Sequence, residues 1–407
     1  MNYRWTILAV GVAAQGALSA VHQGLPSLGP VLRDEFELSL SGVGLILASV
    51  GWGIGATLLM WGALADRIGE RTVIAAGLGG AALALVGAAY APGIATLGTA
   101  LVVAGGFGAA AAAASGRAVM GWFGRSERGM ALGVRQMAVP LGGAAGALAL
   151  PLLAAAGGLR AALLALAAVS LAGALAAAIW LREPPPAPSG RPPVTAPPPL
   201  RDRRVWRLSA GSSLLVCAQV AIVSFVVLFL HDERGFSAGA AAACLATIQL
   251  TGGVVRVVVG RRSDRGGRRI EPLRRHGIAM AGAIAATAVL VQAPLVLLLP
   301  VLLLAGVLTM SWNGLSFTAA AEMAGRERAG TALGLQGTIM RVPSAVAGVG
   351  FGALVAASSW GVAFGVLTLL PVAGWWLLRP LVDEEEVRLR ARTARLAGTR
   401  PANVPAA

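Results

Sequence analysis

The chain has 407 residues, of which 57% are hydrophobic and only 13% are charged, and its mean hydropathy is +0.75. A soluble protein carries about 25% charged residues, so this composition indicates a membrane protein rather than a soluble one. The net charge is +15, and all 33 basic residues are arginines. Because the arginines cluster in short segments between apolar runs, they indicate membrane topology rather than binding to nucleic acid.

A membrane-spanning helix needs about 20 mostly apolar residues, and the sequence predicts twelve such spans. The first span follows a single arginine and is not closed by a small-residue cleavage site. We therefore interpret it as a retained helix and not as a removed signal peptide. In chain order, spans 1 to 12 are predicted at 5–28, 42–63, 72–91, 94–117, 130–155, 159–181, 206–230, 238–260, 275–293, 295–320, 330–356 and 359–379.

The distribution of arginine between the loops predicts the orientation of these spans. Both termini and the loops on their side of the membrane hold nearly all the loop arginines, whereas the opposite loops hold only Arg33, Arg160 and Arg234. Cytoplasmic loops carry the excess of arginine and lysine. The sequence thus predicts a multi-pass protein of the bacterial cytoplasmic (inner) membrane, embedded in the lipid bilayer with both termini in the cytoplasm.

A proline-rich segment divides the chain in the middle. Residues 182–204 hold nine of the 22 prolines, and such a composition does not form a continuous helix. We predict a six-helix bundle at 1–181, a cytoplasmic linker at 182–204, a second six-helix bundle at 205–380 and a cytoplasmic tail at 381–407.

The two halves repeat one another at an offset close to 200 residues. The segment GRSERGMALG (124–133) matches GRERAGTALG (325–334). Parallel six-helix repeats are the plan of one large class of transporters, which bind substrate at mid-membrane between the halves. A second match, between GALADRIGER (62–71) and GRRSDRGGRR (260–269), pairs Gly62 with Gly260, Asp66 with Asp264, Arg67 with Arg265, Gly69 with Gly267 and Arg71 with Arg269.

The segment GALADRIGERT (62–72) resembles the signature that the major facilitator superfamily carries between its second and third helices. GRRSDRGGRR resembles the degenerate copy between the eighth and ninth helices of that family. The resemblance implies an all-α membrane protein with 12 transmembrane helices in two pseudo-symmetric six-helix bundles. It implies a transporter that works by alternating access, in which the halves rock about a central site.

The resemblance also implies a role for the duplicated signature in gating. Asp66 would face the start of span 11, near Gly330 and Thr331, where a carboxylate meets the partial positive charge of a helix N-terminus. By the repeat, Asp264 would face the start of span 5 near Gly129. The alternative is a charged loop that only sets topology. We expect gate residues at Gly62, Asp66, Arg67, Gly69, Arg71, Arg117, Arg256, Asp264 and Arg265.

Polar side chains inside the predicted spans avoid spans 3, 6, 9 and 12. Uncompensated polar groups avoid lipid, so those four spans are expected at the periphery, as the family resemblance also implies, and the other spans line the cavity. We expect substrate to contact the polar and aromatic residues Gln15, His22, Arg135, Gln136, Gln219, Trp312, Asn313, Gln336 and Arg341.

Arginine at mid-membrane is the most informative of these features. Arg341 lies about eleven residues into span 11, or about 16 Å deep at 1.5 Å per residue, and such a charge costs at least about 2.5–3.5 kcal/mol without water or a partner. A structural hydrogen bond to neighbouring carbonyls is the alternative to substrate binding. Arg135 is shallower, and Arg117 and Arg256 lie near the cytoplasmic end, where Asp66, Asp264 and Glu322 are candidate partners. The excess of positive charge favours an anionic substrate such as a carboxylate, which arginine can bind with two hydrogen bonds.

The coupling of transport is left open by the sequence. His22 is a candidate proton carrier, because imidazole titrates near about pH 6.5, and an interfacial hydrogen bond is the alternative role. The substrate carboxyl could carry the proton instead, and exchange of one anion for another needs no titrating residue.

Two rival functions also stay open: efflux of drugs or other metabolites by antiport, and a non-transporting membrane sensor. The signatures of drug exchangers are incomplete, because Gly105 and Gly106 lack the preceding arginine and Val139–Gly143 lacks the first glycine of its motif. The sequence shows no nucleotide-binding loop and no metal-ligand cluster. We therefore expect no enzyme activity and no cofactor, and we expect the protein to act as a monomer.

Overall fold

The structure, a computed structural model, describes residues 3–123, 128–182, 199–324 and 329–396. Throughout these ranges the chain folds into helices, and no β-strand occurs in them. Most of the predicted linker, 183–198, and the end of the predicted tail, 397–407, lie outside the described residues.

The first half of the chain forms six long helices, α1 Arg4–Gly24, α2 Leu40–Ile68, α3 Glu70–Ala89, α4 Ile94–Trp122, α5 at 128–156 and α6 at 159–180. After α1 the chain runs through a 3-10 turn, Leu25–Leu28, into a short helix, Gly29–Phe36. Helices α5 and α6 are separated by Gly157 and Gly158, which leave the helical backbone conformation. Gly158 has a φ of 71°, which glycine adopts at little cost.

The second half repeats this plan with α7 Arg203–Leu228, α8 Ala238–Gly266, α9 Ile270–Leu290, α10 in two parts, Leu295–Ser311 and Asn313–Ala324, α11 Ala329–Ala357, and α12 in two parts, Trp360–Leu367 and Leu369–Leu377. A helix in the tail, α13, covers Arg379–Leu396. Asp202 caps α7, because its carboxylate accepts a hydrogen bond from the Arg204 N–H at 2.9 Å.

The helices have the length and composition of a membrane protein. Within the described residues, ten stretches are long and apolar enough to cross a membrane. One of them, Ala131–Trp180, contains both α5 and α6. Helix α9 is 21 residues long but is not among the ten, and its first turns carry Glu271, Arg274 and Arg275. These helices are consistent with the twelve predicted spans in two six-helix bundles.

Two ends of the bundle differ in their connections. One end carries the α2–α3 turn at Gly69 and the α8–α9 turn at Gly267, and we refer to it as the arginine-rich end. The other, which we call the opposite end, has the longer connections 25–39 and 229–237. Its remaining turns are short and lie at 90–93, 157–158, 291–294 and 358–359.

Small residues allow neighbouring helices to approach closely within a half. A Cβ placed on Gly24 of α1 would lie 2.8 Å from Cα of Gly146 on α5. A Cβ on Gly146 would lie 2.9 Å from the carbonyl oxygen of Ala20. Backbones this close pack through van der Waals contact, which is how helices associate in lipid.

The two halves meet along α2 and α11 in the part of the bundle nearer the opposite end. A Cβ on Gly44 of α2 would lie 2.8 Å from the carbonyl oxygen of Gly348 on α11. A Cβ on Gly352 would lie 2.6 Å from the carbonyl oxygen of Leu40. A side chain at either glycine would therefore separate the halves.

Helices α5 and α8 form a second contact between the halves. Gln249 of α8 donates a hydrogen bond from Nε2 to the carbonyl oxygen of Gln23, at 3.1 Å, after crossing over Gly143. A Cβ on Gly253 would lie 2.9 Å from Cγ of Pro140. The side chain of Gln249 is fully buried in this contact.

An ion pair between Arg33 and Asp232 joins the two longer connections at the opposite end. The glycines of α2, α5, α8 and α11 that lie nearer the arginine-rich end have different surroundings. No heavy atom lies within 4 Å of a Cβ built on Gly62, Gly133, Gly260, Gly334 or Gly337. Among the described glycines of these four helices, tight contacts between the halves are thus confined to the part from mid-bundle to the opposite end.

Candidate functional site

Arg341 lies near the middle of α11 and contacts the face of α2. Its Cβ and Cδ atoms are each 3.9 Å from the position of a Cβ built on Gly55. The side chain is half-buried, and within the described ranges its guanidinium forms no hydrogen bond or ion pair. All five of its N–H donors are therefore available to a ligand.

His22 approaches the same face of α2 from α1. Its Nε2 atom lies 3.4 Å from the position of a Cβ on Gly51. Gly51 and Gly55 are four residues apart, so they share one face of the helix, one turn apart. His22 and Arg341, two predicted substrate residues from different halves, therefore lie against the face of α2 that carries Gly51 and Gly55.

Arg135 is 9% exposed and is bound entirely by neutral acceptors in the described contacts. Its Nη2 donates to Gln15 Oε1 at 2.6 Å and to Ser115 Oγ at 2.7 Å, and its Nη1 donates to Gln136 Oε1 at 2.6 Å. A further bond from Nη2 reaches the Ala112 carbonyl at 3.2 Å. The structure thus brings together Gln15, Arg135 and Gln136. Among the described contacts, no carboxylate balances the charge of Arg135.

The second half contains an uncharged version of this network. Gln336 donates from Nε2 to Ser316 Oγ at 2.6 Å, and Ser316 shares a 2.5 Å hydrogen bond with Ser212. Gln336 and Ser316 are 20 residues apart, as are Arg135 and Ser115. The repeat therefore conserves the position of the serine and replaces the guanidinium with an amide.

The other predicted substrate residues lie between α7 and α10. Asn313 donates from Nδ2 to Gln219 Oε1 at 3.3 Å, and Gln219 donates to the sulfur of Met310 at 3.2 Å. Trp312 is fully buried, and its Nε1 has no hydrogen-bond partner in the described structure. Arg256 binds the Met310 carbonyl oxygen through Nε at 3.1 Å and through Nη2 at 2.5 Å. Arg256 thus hydrogen-bonds to the backbone, and in the described part of the chain neither Asp264 nor Glu322 is its partner.

Arg117 forms an ion pair at the arginine-rich end with an acid that the sequence analysis did not assign to it. Its Nε is 2.6 Å from Glu70 Oε1, and its Nη2 donates to the Ala65 carbonyl at 3.0 Å. Glu70 is 4% exposed and is the first residue of α3. The pair therefore joins the end of α4 to the α2–α3 turn. Glu70 lies inside the segment GALADRIGERT (62–72), and its place in this signature was the sequence signal that could have identified it as a functional residue.

The second half has the same connection with the charges exchanged. Arg269, at the α8–α9 turn, binds Glu322 of α10 at 3.0 Å and Asp264 at 2.6 Å. Its Nη1 also donates to Ser263 Oγ at 2.8 Å. Burial acts to lower the pKa of Arg269, but the charges and hydrogen bonds of Glu322 and Asp264 raise it overall. The guanidinium is therefore held charged at this end of the bundle.

The signature residues form turns as expected, whereas their expected contacts between the halves involve residues outside the described part of the chain and stay a prediction. Gly69 and Gly267 have φ values of 82° and 62°, and both end a helix. The side chain of Asp66 and the surroundings of Gly129 and Gly330 are outside what the structure describes. The carboxylate of Asp264 is bound by Arg269 of its own half. The arginines at Arg67, Arg71 and Arg265 are exposed, and Gly62 faces open space.

Within the described ranges, no group of three or more His, Cys, Asp or Glu side chains could hold a metal ion. The two cysteines, Cys217 and Cys244, are free thiols. The chemistry available near mid-bundle is therefore that of guanidinium, imidazole, amide and hydroxyl groups.

Comparison with known proteins gives a consistent result. The model of the Major Facilitator Superfamily matches residues 8–348, which confirms the resemblance stated for the signature segment. An uncharacterized MFS-type transporter, Rv2994, from Mycobacterium tuberculosis (strain ATCC 25618 / H37Rv) is 34% identical over 96% of this chain and 89% of its own length. MT3072, from strain CDC 1551 / Oshkosh, is 33% identical over the same shares.

Solved structures show a similar fold at low sequence identity. A bacterial homolog of the human lysosomal transporter Spinster, in an inward-facing and unoccupied conformation, has a TM-score of 0.75 and 16% identity, with 95% of this chain and 97% of that chain covered. The human organic anion transporter MFSD10 (TETRAN) has a TM-score of 0.72 and 18% identity, with 92% and 99% covered.

Proposed function

The chain belongs to the major facilitator superfamily of membrane transporters, and from this premise we propose that it is a secondary transporter for a small organic anion, such as a carboxylate. The observation that carries the proposal is the free guanidinium of Arg341 at the contact between the halves. A cation at mid-membrane that has no partner is costly. A bound anion would remove that cost, because arginine binds carboxylate with two charge-assisted hydrogen bonds.

The surroundings of Arg341 support an anion more than a cation. Arg135 and Arg256 are held by neutral groups, so their charges add to the positive potential near mid-bundle. The acidic residues with described ion pairs lie toward the two ends of the bundle: Glu70, Asp264 and Glu322 lie at the arginine-rich end, and Asp232 lies at the opposite end. An organic cation would have to enter a site with excess positive charge.

The contacts between the halves support transport by alternating access. The halves are joined through Arg33 and Asp232, through Gly44 and Gly348, and through Gln249 and Gln23. These contacts lie from mid-bundle to the opposite end, while the glycines nearer the arginine-rich end face open space. Rocking of the halves would exchange these two arrangements and expose the site on alternate sides.

The arginine distribution supports the orientation. The arginine-rich end would face the cytoplasm of a bacterial cell, with both termini there and the opposite end outside. Transport would be driven by protons taken up with the substrate or by exchange for another anion. The protein would act as a monomer, because each chain contains both halves of the site.

Transport by the purified protein in proteoliposomes tests the proposed substrate class. We would measure uptake of a panel of labelled small carboxylates and of cationic dyes by the unchanged protein and by Arg341→Ala and Arg341→Lys. We expect carboxylate uptake by the unchanged protein, and a loss of at least about tenfold in Arg341→Ala, since a charged hydrogen bond contributes about 1.5–3 kcal/mol. Arg341→Lys should retain part of the activity, because it keeps the charge but not the bidentate geometry.

Arg160→Ala is the matched control, because Arg160 is an exposed arginine at the opposite end that packs over the ring of Tyr90. Its uptake should equal that of the unchanged protein. Dye transport that is unimpaired in Arg341→Ala would contradict the anion proposal and favour drug efflux. A folded protein that moves no member of a broad panel would favour a sensor.

A further inference from the structure

The tail helix α13 is held against the second half by a buried carboxylate. Glu385 is 5% exposed, although it lies on a helix rich in charged residues. Leu381, one turn earlier, is 1% exposed. On the same helix, the side chain of Glu386 is 43% exposed and pairs with Arg390, four residues later, at 3.3 Å. Glu385 therefore differs from its neighbour in having a specific place in the fold.

That place is the N-terminus of α9. The carboxylate of Glu385 accepts hydrogen bonds from the backbone N–H groups of Arg269 at 2.6 Å, Ile270 at 3.1 Å and Glu271 at 3.4 Å. The first N–H groups of a helix have no partner within the helix, and the N-cap residue Arg269 supplies no side-chain cap. A residue 116 positions later in the chain thus supplies the cap, which also places a negative charge at the positive end of the helix.

Glu385 caps the backbone of Arg269, and the side chain of Arg269 connects three helices. Arg269 binds Asp264 at the end of α8 and Glu322 at the end of α10. The tail also covers the α8–α9 turn, because Leu389 Cδ2 lies 3.7 Å from a Cβ built on Gly267. Fixing the backbone of Arg269 therefore fixes the origin of a side chain that joins α8, α9 and α10.

The first half makes the equivalent connection without a tail. Glu70 is itself the first residue of α3 and pairs with Arg117 of α4. In the second half the connection to α10 is made by a basic residue, Arg269, at the N-cap of α9. A positive charge at a helix N-terminus is electrostatically unfavourable. The carboxylate of Glu385 offsets this.

We propose that Glu385 is a positioning residue of the transport cycle, which acts through Arg269 to keep the arginine-rich ends of α8, α9 and α10 together as one rigid unit while the halves rock. This inference rests on the proposed alternating access. Loss of the carboxylate lets the α8–α9 turn loosen, and the ends of α8 and α10 then separate during closure. The rate of transport falls, while substrate affinity is unchanged because Arg341 lies on α11.

Amide hydrogen exchange of the full-length protein in lipid nanodiscs tests the first step without any substrate. Peptides that cover 263–275 are compared between the unchanged protein, Glu385→Ala and the control Glu386→Ala. We expect roughly tenfold faster exchange at 269–271 in Glu385→Ala, the change expected for loss of a charged cap, and none in Glu386→Ala. Unchanged exchange in Glu385→Ala overturns the inference, whether or not a substrate is known.

Transport kinetics test the second step. Glu385→Ala and Arg269→Ala should each lower the maximal rate of uptake at least about threefold with KM unchanged. The double variant should be no slower than the slower single variant, because residues in one chain of contacts are not additive. Arg269→Ala should keep the amides at 269–271 protected, since Glu385 binds the backbone. Rate losses that multiply, or a change confined to KM, overturn the positioning role and leave the proposed transport function intact.

Discussion

His22 of α1 and Arg341 of α11 contact the same face of α2, one turn apart, beside the two glycines Gly51 and Gly55. The two side chains come from different halves of the molecule and are 319 positions apart in the sequence. An anion bound to Arg341 would lie next to the imidazole of His22. A proton on that imidazole would then stabilise the bound anion, and loss of the proton would favour release.

This arrangement predicts that the pH dependence of anion uptake requires His22. His22→Asn should flatten any increase in uptake between about pH 7.5 and pH 5.5, because an anion bound at Arg341 offsets the guanidinium charge and so favours a proton on His22. At pH 7.5 its uptake should stay within about threefold of the unchanged protein. Uptake in proteoliposomes at several pH values, with no membrane potential, provides the measurement.

His231→Asn is the control, because His231 lies at the opposite end beside Asp232. Its pH profile should match that of the unchanged protein. An increase at low pH that persists in His22→Asn would assign the proton to the substrate or to another group.

The ion pair between Arg33 and Asp232 predicts that a cross-link at this place will lock the opposite end. We would introduce Arg33→Cys and Asp232→Cys into a chain whose two native cysteines, Cys217 and Cys244, are replaced by alanine. A short bifunctional thiol reagent that reduction cleaves should link the two new cysteines and stop uptake, because the site could no longer open at that end, and reduction should restore uptake. Each single cysteine should remain active after treatment with the reagent. Full uptake by the cross-linked protein would show that this end does not move.

The close approach of α2 and α11 predicts that Gly44 cannot be enlarged. Gly44→Ala would place a Cβ 2.8 Å from the Gly348 carbonyl oxygen, so the helices must separate. We expect a loss of about 1–3 kcal/mol from overpacking, seen as a lower melting temperature in detergent. Gly79→Ala is the matched control, because no heavy atom lies within 4 Å of its Cβ. Equal melting temperatures for the two variants would contradict the packing described here.

The cap of α7 predicts a pH-dependent contribution to stability. Burial raises the pKa of Asp202, but hydrogen bonds from the Arg204 side chain and backbone outweigh this, so its pKa is lowered overall. The folded protein thus favours the charged carboxylate, and its contribution is present at neutral pH and is lost as the pH falls through the folded-state pKa. Asp202→Ala should cost about 1 kcal/mol at pH 7, the usual value of a lost helix cap.

Asp202→Asn separates the charge from the cap, since asparagine is also a good capping residue. At pH 7, Asp202→Asn should lower the free energy of unfolding less than Asp202→Ala does. The difference in this free energy between Asp202→Asn and the unchanged protein should shrink when unfolding is measured at about pH 3.5. A difference that grows as the pH falls would mean that the carboxylate is not stabilised by folding.

The sequence was sufficient to predict the order of the helices and the family. A stretch of about 20 apolar residues has few structures open to it in a membrane, so spans such as 72–91 and 238–260 correspond to α3 and α8 within a few residues. The turn between spans 5 and 6 was predicted after residue 155, and Gly157 and Gly158 form it. The duplicated signature is recognisable because its glycines must end helices in particular conformations.

Side-chain partners could not be predicted in the same way. The pairing of Arg117 with Glu70 depends on the rotation of α3 and α4 about their axes, which packing decides. Arg135 is satisfied by Ser115 and a backbone carbonyl, and a serine in an apolar span gives no sign of such a partner. Glu385 caps a helix far away in the sequence, and no local pattern identifies the helix that it caps. The role of Arg341 as a binding residue is still a prediction.

In the proposed orientation, the short turns at the opposite end would restrict what a large external molecule can recognise. Four of the six connections there are between two and four residues long, at 90–93, 157–158, 291–294 and 358–359, so they would offer little surface to such a molecule. The segments 25–39 and 229–237 are the exceptions, and Arg33 and Asp232 join them. An antibody fragment raised against this side of the folded protein would therefore have its epitope across that junction. Its affinity would report directly on which conformation the protein has adopted.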